Sequence, residues 1–390
     1  MSDINVLFAF GTRPEAIKLA PVIKRLQAAE GFHVGICLTS QHKELLRQVT
    51  EFFDIREDID LDVMVHNQTL EHITSAVLTR MRDVFEHLSP DIILVQGDTT
   101  TVFAAALAAY YHRVAVGHVE AGLRTFNKYS PFPEEMNRRL TGALTDLHFA
   151  PTKGAAANLR AEGVTDSDIF VTGNTVVDAL HRGLGILGGW PEEKRNELLV
   201  SAGLEAPLID RVVNGRTRLI TVTAHRRESF GGPFEHLCRA IRTVVERYPD
   251  VDVIYPVHPN PNVREVVGRI LSGHPRIALI EPVGYSQLLF LMERSYLLLT
   301  DSGGIQEEGP SLRKPVLVMR EVTERPEGVE AGVAKLVGTD TGVIVGEASR
   351  LLDDPSAYDA MASGINPYGD GRASERIESI IRERLRNSNG

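Results

Sequence analysis

The chain has 390 residues, 43% of them hydrophobic, with 42 Lys and Arg against 52 Asp and Glu and a formal charge of −10. That length supplies core for two or three domains, and the acidic balance argues against nonspecific nucleic-acid binding, which needs a basic face. Met1-Ser2-Asp3-Ile4 runs straight into a strand pattern with no signal-peptide signature, and no apolar run nears the roughly 20 residues of a membrane helix, so a cytoplasmic protein is expected.

Residues 6–10 read as the first strand, and Gly11-Thr12-Arg13-Pro14-Glu15 then opens a helix. Pro14 suits a first helical position. Arg13 and Lys18 sit in the opening turns, where the helix dipole disfavours cations, so an anion nearby would explain them. Cys37, in the strand pattern 34–38, and the distant Cys238, in a helical one, are expected to be buried apolar fillers rather than a disulfide or metal pair. Strand 92–95 runs through Gln96 into Gly97-Asp98-Thr99, where Asp98 could cap the next helix or face a ligand. Strand 114–116 leads into Gly117-His118-Val119-Glu120-Ala121-Gly122-Leu123-Arg124. A carboxylate and a His around a strand end, followed by Gly and Arg, suggest a cleft. Glu134 and Glu135 follow Pro131-Phe132-Pro133, a placement that dipole complementarity alone would also choose.

After strand 169–171, Gly183, Gly185, Gly188 and Gly189 cluster before Trp190-Pro191 and mark a domain boundary near 178–190. In the second half, strand 219–222 ends at Ala224-His225-Arg226-Arg227, a candidate for phosphate contact or proton transfer. Strand 251–257 ends at His258-Pro259-Asn260. Strand 297–299 ends at Asp301-Ser302-Gly303-Gly304, a turn that opens a helix and leaves backbone N–H groups at the positive end of its dipole, which suits a phosphate. A further strand pattern covers 315–319, and Arg325, before Pro326, is expected to be extended. Residues 372–386, with Ile377, Ile380 and Ile381 at helical spacing, form a terminal amphipathic helix after a turn cluster at 366–371.

Alternating strands and helices, with strands that are continuous apolar runs, predict an α/β protein whose parallel sheets are covered on both faces. In such sheets ligands bind beyond the carboxyl ends of the strands. Two Gly-containing strand–helix junctions, one in each half, suggest a diphosphate-bearing ligand held between two α/β lobes. No HExxH, CxxC, GxxxxGK[ST], strand-linked GxGxxG or GxSxG pattern occurs, which argues against a metal site, an NTPase, a dinucleotide enzyme and a nucleophile-elbow hydrolase.

FGTRPEAIK (10–18), QGDTTTVFAAALAA, GHVEAGLRT, PFPEEMNRR, TAHRRE, DSGGIQEEGPSLRKPV, TERPEG and NPYGDG, in that order from residue 5 to about 372, together resemble the non-hydrolysing UDP-N-acetylglucosamine 2-epimerases. The resemblance implies two Rossmann-like doubly wound lobes of the GT-B type with the active site in the cleft between them. It places a first lobe at 1–178, joined by the 372–386 helix, and a UDP-binding lobe at 190–365. It implies a homodimer that binds a UDP-sugar, and epimerisation at C2 without NAD or metal. By motif match, Asp98, Glu120, Glu134 and His225 are the acid/base candidates. Arg13, Lys18, His225, Ser302, Gly303 and Gly304 would hold the diphosphate, Glu308 the ribose, and Arg325 the phosphate or sugar end. The uracil would lie near Pro282 and Leu288. This chain has Val283 where members can carry Gln, and Leu288 where they can carry an aromatic. Gln41, His42 and His258 are candidates for a second, allosteric UDP-N-acetylglucosamine site, although Asn67 stands where some members carry Arg. A glycosyltransferase using the same cleft, an epimerase of a related UDP-acetamido sugar, and a nucleotide-sugar sensor are the rival readings.

Overall fold

The computed structural model describes residues 3–40, 43–64 and 68–388. The chain divides into two compact units: Met1–Arg182 with Tyr368–Gly390, and Gly183–Pro367. The helix Thr175–Gly188 carries the chain past the first division, so Gly183, Gly185 and Gly188, expected to mark a boundary, are helical. Among the described residues, no helix is long and apolar enough to cross a membrane.

The first unit holds strands β1 (Ile4–Phe10), β2 (Phe32–Leu38), β3 (Ile59–Asp60), β4 (Ile92–Gln96), β5 (Ala115–Val119), β6 (Leu147–Ala150) and β7 (Ile169–Val171). They form a seven-stranded sheet in the order β3-β2-β1-β4-β5-β6-β7, with every pairing parallel. The second unit holds β8 (Arg218–Thr223), β9 (Val251–Pro256), β10 (Ile277–Ile280), β11 (Ser295–Thr300), β12 (Val316–Val318) and β13 (Ala334–Leu336). They form a six-stranded sheet in the order β10-β9-β8-β11-β12-β13, also parallel throughout.

Parallel strands covered on both faces must be apolar on both faces, which is why β4 reads Ile-Ile-Leu-Val-Gln and is buried along its whole length. The Ala-rich helix Thr100–Tyr111 lies against it with Ala104, Ala105, Ala108 and Ala109 buried. In the second unit Phe234, Tyr255 and Leu297 are buried in one cluster. Burying a large apolar side chain stabilises by about 1.5–3 kcal/mol, so both sheets are anchored from the centre outwards.

Strand order reverses between β1 and β4 in one sheet and between β8 and β11 in the other. At such switch points the crossover helices leave on opposite faces and open a crevice at the carboxyl edge. Gly11 and Gly97 follow the first pair, and Ala224 and Asp301 follow the second.

The terminal helix Ala373–Ser388 belongs to the first unit and packs on the helix Arg13–Gln27. Its Ile377 and Ile381 are fully buried, and Arg25 pairs with Glu378 at 3.0 Å. Its N-terminus is capped from outside by Asp178, which accepts from Ala373 N at 3.1 Å, Ser374 N at 2.8 Å and Ser374 Oγ at 2.6 Å. Asp178→Ala leaves those donors buried and unpaired, so urea unfolding at pH 7 should show a loss of about 1–3 kcal/mol. An unchanged midpoint would mean that the Asp178 cap contributes nothing to folding.

Candidate active site

At the first switch point, Thr12 starts the helix Arg13–Gln27 and Glu15 folds back under it. Glu15 Oε2 accepts from Gly11 N and Thr12 N, both at 2.7 Å, and Oε1 accepts from Thr99 Oγ1 at 2.5 Å. The carboxylate is buried, and desolvation pushes its pKa up against these three donors. It therefore occupies backbone N–H groups that the glycine junction offered to an external anion, and it ties the turn after β1 to the turn after β4. Arg13 is half-buried at the first helical position.

Asp98 lies in that second turn, half-buried. It does not cap the helix Thr100–Tyr111; Thr99 does, accepting from Val102 N at 3.3 Å. Asp98 is instead held by Arg138, whose Nε lies 2.9 Å and Nη2 2.7 Å from Oδ2, while Asn137 Nδ2 donates to its carbonyl at 2.9 Å.

Glu120 follows β5 at φ 67°, a left-handed conformation that costs a non-glycine residue energy and aims its side chain back over the sheet edge. Its Oε1 accepts from Lys18 Nζ at 2.5 Å and Asn174 Nδ2 at 3.1 Å, and its Oε2 accepts from Gln96 Nε2 at 2.5 Å. Lys18, expected to face a diphosphate, is thus paired with a carboxylate of its own unit.

The two adjacent acids Glu134 and Glu135 open the helix Glu134–Leu144 but do different things. Glu135, fully buried, accepts from Thr125 N at 2.9 Å and Phe126 N at 3.1 Å and lies 3.4 Å from Arg138 Nη1. Among the described residues, the buried Glu134 Oε2 has no hydrogen-bond partner. Glu135 therefore fixes the 125–126 turn, and Glu134 takes no part in it.

His118 and Arg124, read from the sequence as lining a cleft, are structural supports. His118 donates from Nε2 to Gly97 O at 2.7 Å and is buried. Arg124 meets both oxygens of Glu162, at 2.8 and 2.6 Å. Desolvation lowers the His118 pKa from 6.5 to about 4, assisted by Arg124 and opposed by the Gly97 bond. A base whose folded pKa is depressed contributes stability above its unfolded pKa and loses it as pH falls through the folded one. Between pH 6.5 and 4 this residue should therefore withdraw on the order of 3 kcal/mol. His118→Gln, which can still donate to Gly97 O, should flatten the pH dependence of urea-unfolding stability in that range; an identical slope would mean His118 is already protonated in the native state.

In the second unit, Asp301 follows β11 and is buried. Its Oδ2 accepts from His225 N at 2.6 Å and Arg226 N at 2.7 Å, and its Oδ1 lies 3.6 Å from His225 Nδ1. The turn after β8 is thereby locked to the turn after β11. His225 is 41% exposed at the side chain and stacks on His258 with ring centroids 5.0 Å apart and planes 9° apart. Burial, then the neighbouring His225, push the His258 imidazole down.

Ser302 precedes the short helix Gly303–Glu308. Arg325 lies over this turn, its Cζ 3.3 Å from where a Cβ on Gly303 would sit, and its Nε donates to Glu307 Oε1 at 2.9 Å. A side chain on Gly303 would displace the guanidinium. Gln306 reaches from Ser302 O, at 3.2 Å, to Thr323 Oγ1, at 2.7 Å, and Thr323 accepts from Arg325 N at 3.1 Å. The carboxyl of Glu324, raised by burial but lowered more by Arg320, lies at about 2, and Arg320 also pairs with Glu228 at 2.9 Å. Glu308 is buried and accepts from Tyr285 OH at 3.2 Å. Leu288 is half-buried in the helix Tyr285–Arg294, near the buried Val283. Gln41, His42 and Asn67 lie outside the described residues.

In the first unit Asp98 and Glu120 thus follow β4 and β5, with Arg13 and Lys18 on the helix after β1 and Glu134 on the helix that holds Asp98; in the second, His225 and Ser302-Gly303-Gly304 follow β8 and β11, with Arg325 over the latter turn. Sequence reading assigned no role to Glu15, Gln96 or Asn174. Asn174 carries the same signal as the others, since it follows β7 directly after Thr172-Gly173.

The family described as UDP-N-acetylglucosamine 2-epimerase matches residues 24–382. A Yersinia pestis UDP-N-acetylglucosamine 2-epimerase is 51% identical over 381 residues, covering 97% of this chain and 98% of the relative. The Bacillus subtilis enzyme of the same name is 50% identical over 377 residues, covering 97% and 94%. Among solved structures, UDP-GlcNAc 2-epimerase from Neisseria meningitidis bound to UDP-GlcNAc superposes with a TM-score of 0.87 at 44% identity, over 97% of this chain and all of that one.

Proposed function

The chain belongs to the UDP-N-acetylglucosamine 2-epimerase family, and from that premise we propose that it interconverts UDP-N-acetylglucosamine and UDP-N-acetylmannosamine by expelling UDP and adding it back. The hydrogen at C2 of the pyranose has no adjacent carbonyl, so direct deprotonation is prohibitive. Breaking the C1–O bond to UDP, before or with proton loss, places cationic character on C1 and acidifies C2–H. Electrons from C2–H form the C1–C2 double bond, the proton goes to a base, and UDP leaves with the electron pair of the C1–O bond. The products of this half-reaction are 2-acetamidoglucal and UDP. Re-addition of UDP at C1, with a proton delivered to the other face of C2, gives the epimer.

This chemistry asks for a base and an acid at C2, positive groups on the departing diphosphate, and exclusion of water from the glycal. Asp98, Glu120, Glu134 and His225 are the acid/base set. Arg13, His225, Arg325 and the Ser302-Gly303-Gly304 turn take the diphosphate, with Glu308 on the ribose and Leu288 beside the uracil. Lys18 acts through Glu120, whose charge it holds. The observation that supports the reading is that Asp98 and Glu120 follow β4 and β5, and that Glu134 opens the helix whose Asn137 and Arg138 hold Asp98, so that three carboxylates have three different sets of partners. Unlike environments let neighbouring carboxyl groups take opposite proton-transfer roles. A UDP-N-acetylglucosamine-bound relative of nearly the same length supports the substrate, and a homodimer is part of the same reading.

Proton NMR of the purified enzyme with UDP-N-acetylglucosamine should show UDP-N-acetylmannosamine growing to a fixed ratio, with traces of UDP and 2-acetamidoglucal. Release of free N-acetylmannosamine, or no new sugar, would contradict it. A second UDP-N-acetylglucosamine site at His258 would make the rate sigmoidal in substrate; hyperbolic kinetics in both directions would remove that site.

A further inference from the structure

We propose that Asn174 is a positioning residue for the Glu120 carboxylate, and that the returning C-terminal segment at Tyr368–Gly371 holds Asn174 in place. The inference deepens the proposed function and rests on Glu120 acting in it.

Asn174 stands between β7 and the helix Thr175–Gly188 and is buried. Its Oδ1 accepts from Val176 N at 3.0 Å, in the manner of a helix cap. With the oxygen so committed, the amide can turn only its nitrogen away from the helix, and Nδ2 donates to Glu120 Oε1 at 3.1 Å. The backbone is fixed as well, for Asn174 N donates to Tyr368 O at 2.7 Å. One residue therefore joins three things: the start of a helix, a carboxylate in a left-handed conformation, and the turn through which the chain re-enters the first unit.

The fit between the 173–181 and 368–371 segments depends on absent side chains. At Gly369 the requirement is the backbone, whose φ of 154° L side chains rarely adopt; a Cβ there would make ordinary contacts, 3.4 Å from Asn174 N and 3.6 Å from its carbonyl oxygen. One on Gly371 would overlap His181 Nδ1 at 2.2 Å. Asp178 and the first turn of the terminal helix close the same seam from the other side. A local fold this specific is more than the Asn174 cap requires, because Ser, Thr or Asp would cap equally well. What those residues lack is an amide N–H₂ on the opposite side from the capping oxygen.

The cap and the positioning role separate cleanly by substitution. Asn174→Asp keeps the capping oxygen but replaces the donor to Glu120 with an acceptor carrying like charge. Asn174→Ser keeps a capping oxygen, is neutral, and does not reach Glu120. Asn174→Ser should retain the wild-type thermal midpoint within a few degrees, whereas Asn174→Asp should melt lower, because its carboxylate meets the buried Glu120. Both should lose kcat, on the order of 10²-fold for the kind of misplacement involved, with KM for UDP-N-acetylglucosamine changed far less. In Asn174→Asp the acidic limb of the kcat–pH profile should also move to higher pH, because like charges disfavour the ionised pair; in Asn174→Ser it should not move upward.

The measurement is deuterium exchange at C2 of UDP-N-acetylglucosamine in D₂O by wild type and both variants. Exchange by wild type with a large loss in the folded variants supports the inference. Exchange at the wild-type rate by either folded variant overturns it and leaves the proposed reaction standing. No exchange by wild type overturns the reaction and the inference together. If Asn174→Asp fails to fold, Asn174→Ser alone decides between these outcomes.

Discussion

Asp98→Asn, Glu120→Gln and Glu134→Gln should each lower kcat by about 10²–10⁴-fold, the range of a general acid–base contribution, while UDP binding stays within a few-fold of wild type. The three should not be equivalent in other respects. Glu120 accepts from Lys18, Gln96 and Asn174, so the amide must turn an N–H₂ toward a donor, and this variant should also lose stability. Glu134 has a buried oxygen without a partner among the described residues, so Glu134→Gln should unfold at the wild-type temperature or slightly above it. Asp98 is gripped by Arg138, and the Asn variant keeps an oxygen for that guanidinium. Isothermal titration with UDP and steady-state kinetics on the same preparations separate binding from turnover. Wild-type kcat in all three would remove them from the chemistry.

Glu135, one residue further, should behave in the opposite way. Its carboxylate has no exposed side-chain surface and receives Thr125 N and Phe126 N, with Arg138 3.4 Å and Arg139 3.5 Å away. Hydrogen bonds to a charged group contribute about 1.5–3 kcal/mol each, and donors left buried without one cost a similar amount. Glu135→Ala should therefore cost about 3–5 kcal/mol in chemical denaturation. Because Arg138 bridges Glu135 and Asp98, turnover should fall too, but with lost stability, whereas Glu134→Gln loses turnover alone. Equal stability of the two variants would remove the structural role assigned to Glu135, and greater loss in Glu134→Gln would mean that the two acids have been assigned the wrong way round.

This contrast also shows how far residue pattern reaches. The pair Glu134-Glu135 satisfies helix-dipole complementarity as a pair, and nothing in the local sequence says which member turns inward. The long strands were legible because burial on both faces makes them continuous apolar runs, as in β1, β4 and β11. β3 and β13, at two and three residues, are too short to carry such a signal, whereas β10 reads Ile-Ala-Leu-Ile and carries the same signal as its longer neighbours. Looking just past strand ends singles out Asp98, His225 and Ser302, a rule with a topological cause. The rule names what lies at the sheet edge but not what each group touches. Glu15 illustrates the gap: it reads as an acidic residue in a first helical turn, yet it fills the amides of the Gly11 turn with the protein's own carboxylate. Lys18 is similar, since attraction to an anion was legible but the anion, Glu120, lies 102 residues away. Sequence-distant pairs of this kind depend on strand order, which alternation of elements does not specify.

The most direct test of the central claim is the fate of the C2 hydrogen when the enzyme equilibrates UDP-N-acetylglucosamine in D₂O. Removal of that hydrogen to a protein base and return of a solvent-derived one predicts deuterium at C2 of the UDP-N-acetylmannosamine formed, and progressively at C2 of the recovered UDP-N-acetylglucosamine. Product of the manno configuration that still carries protium at C2 would contradict it.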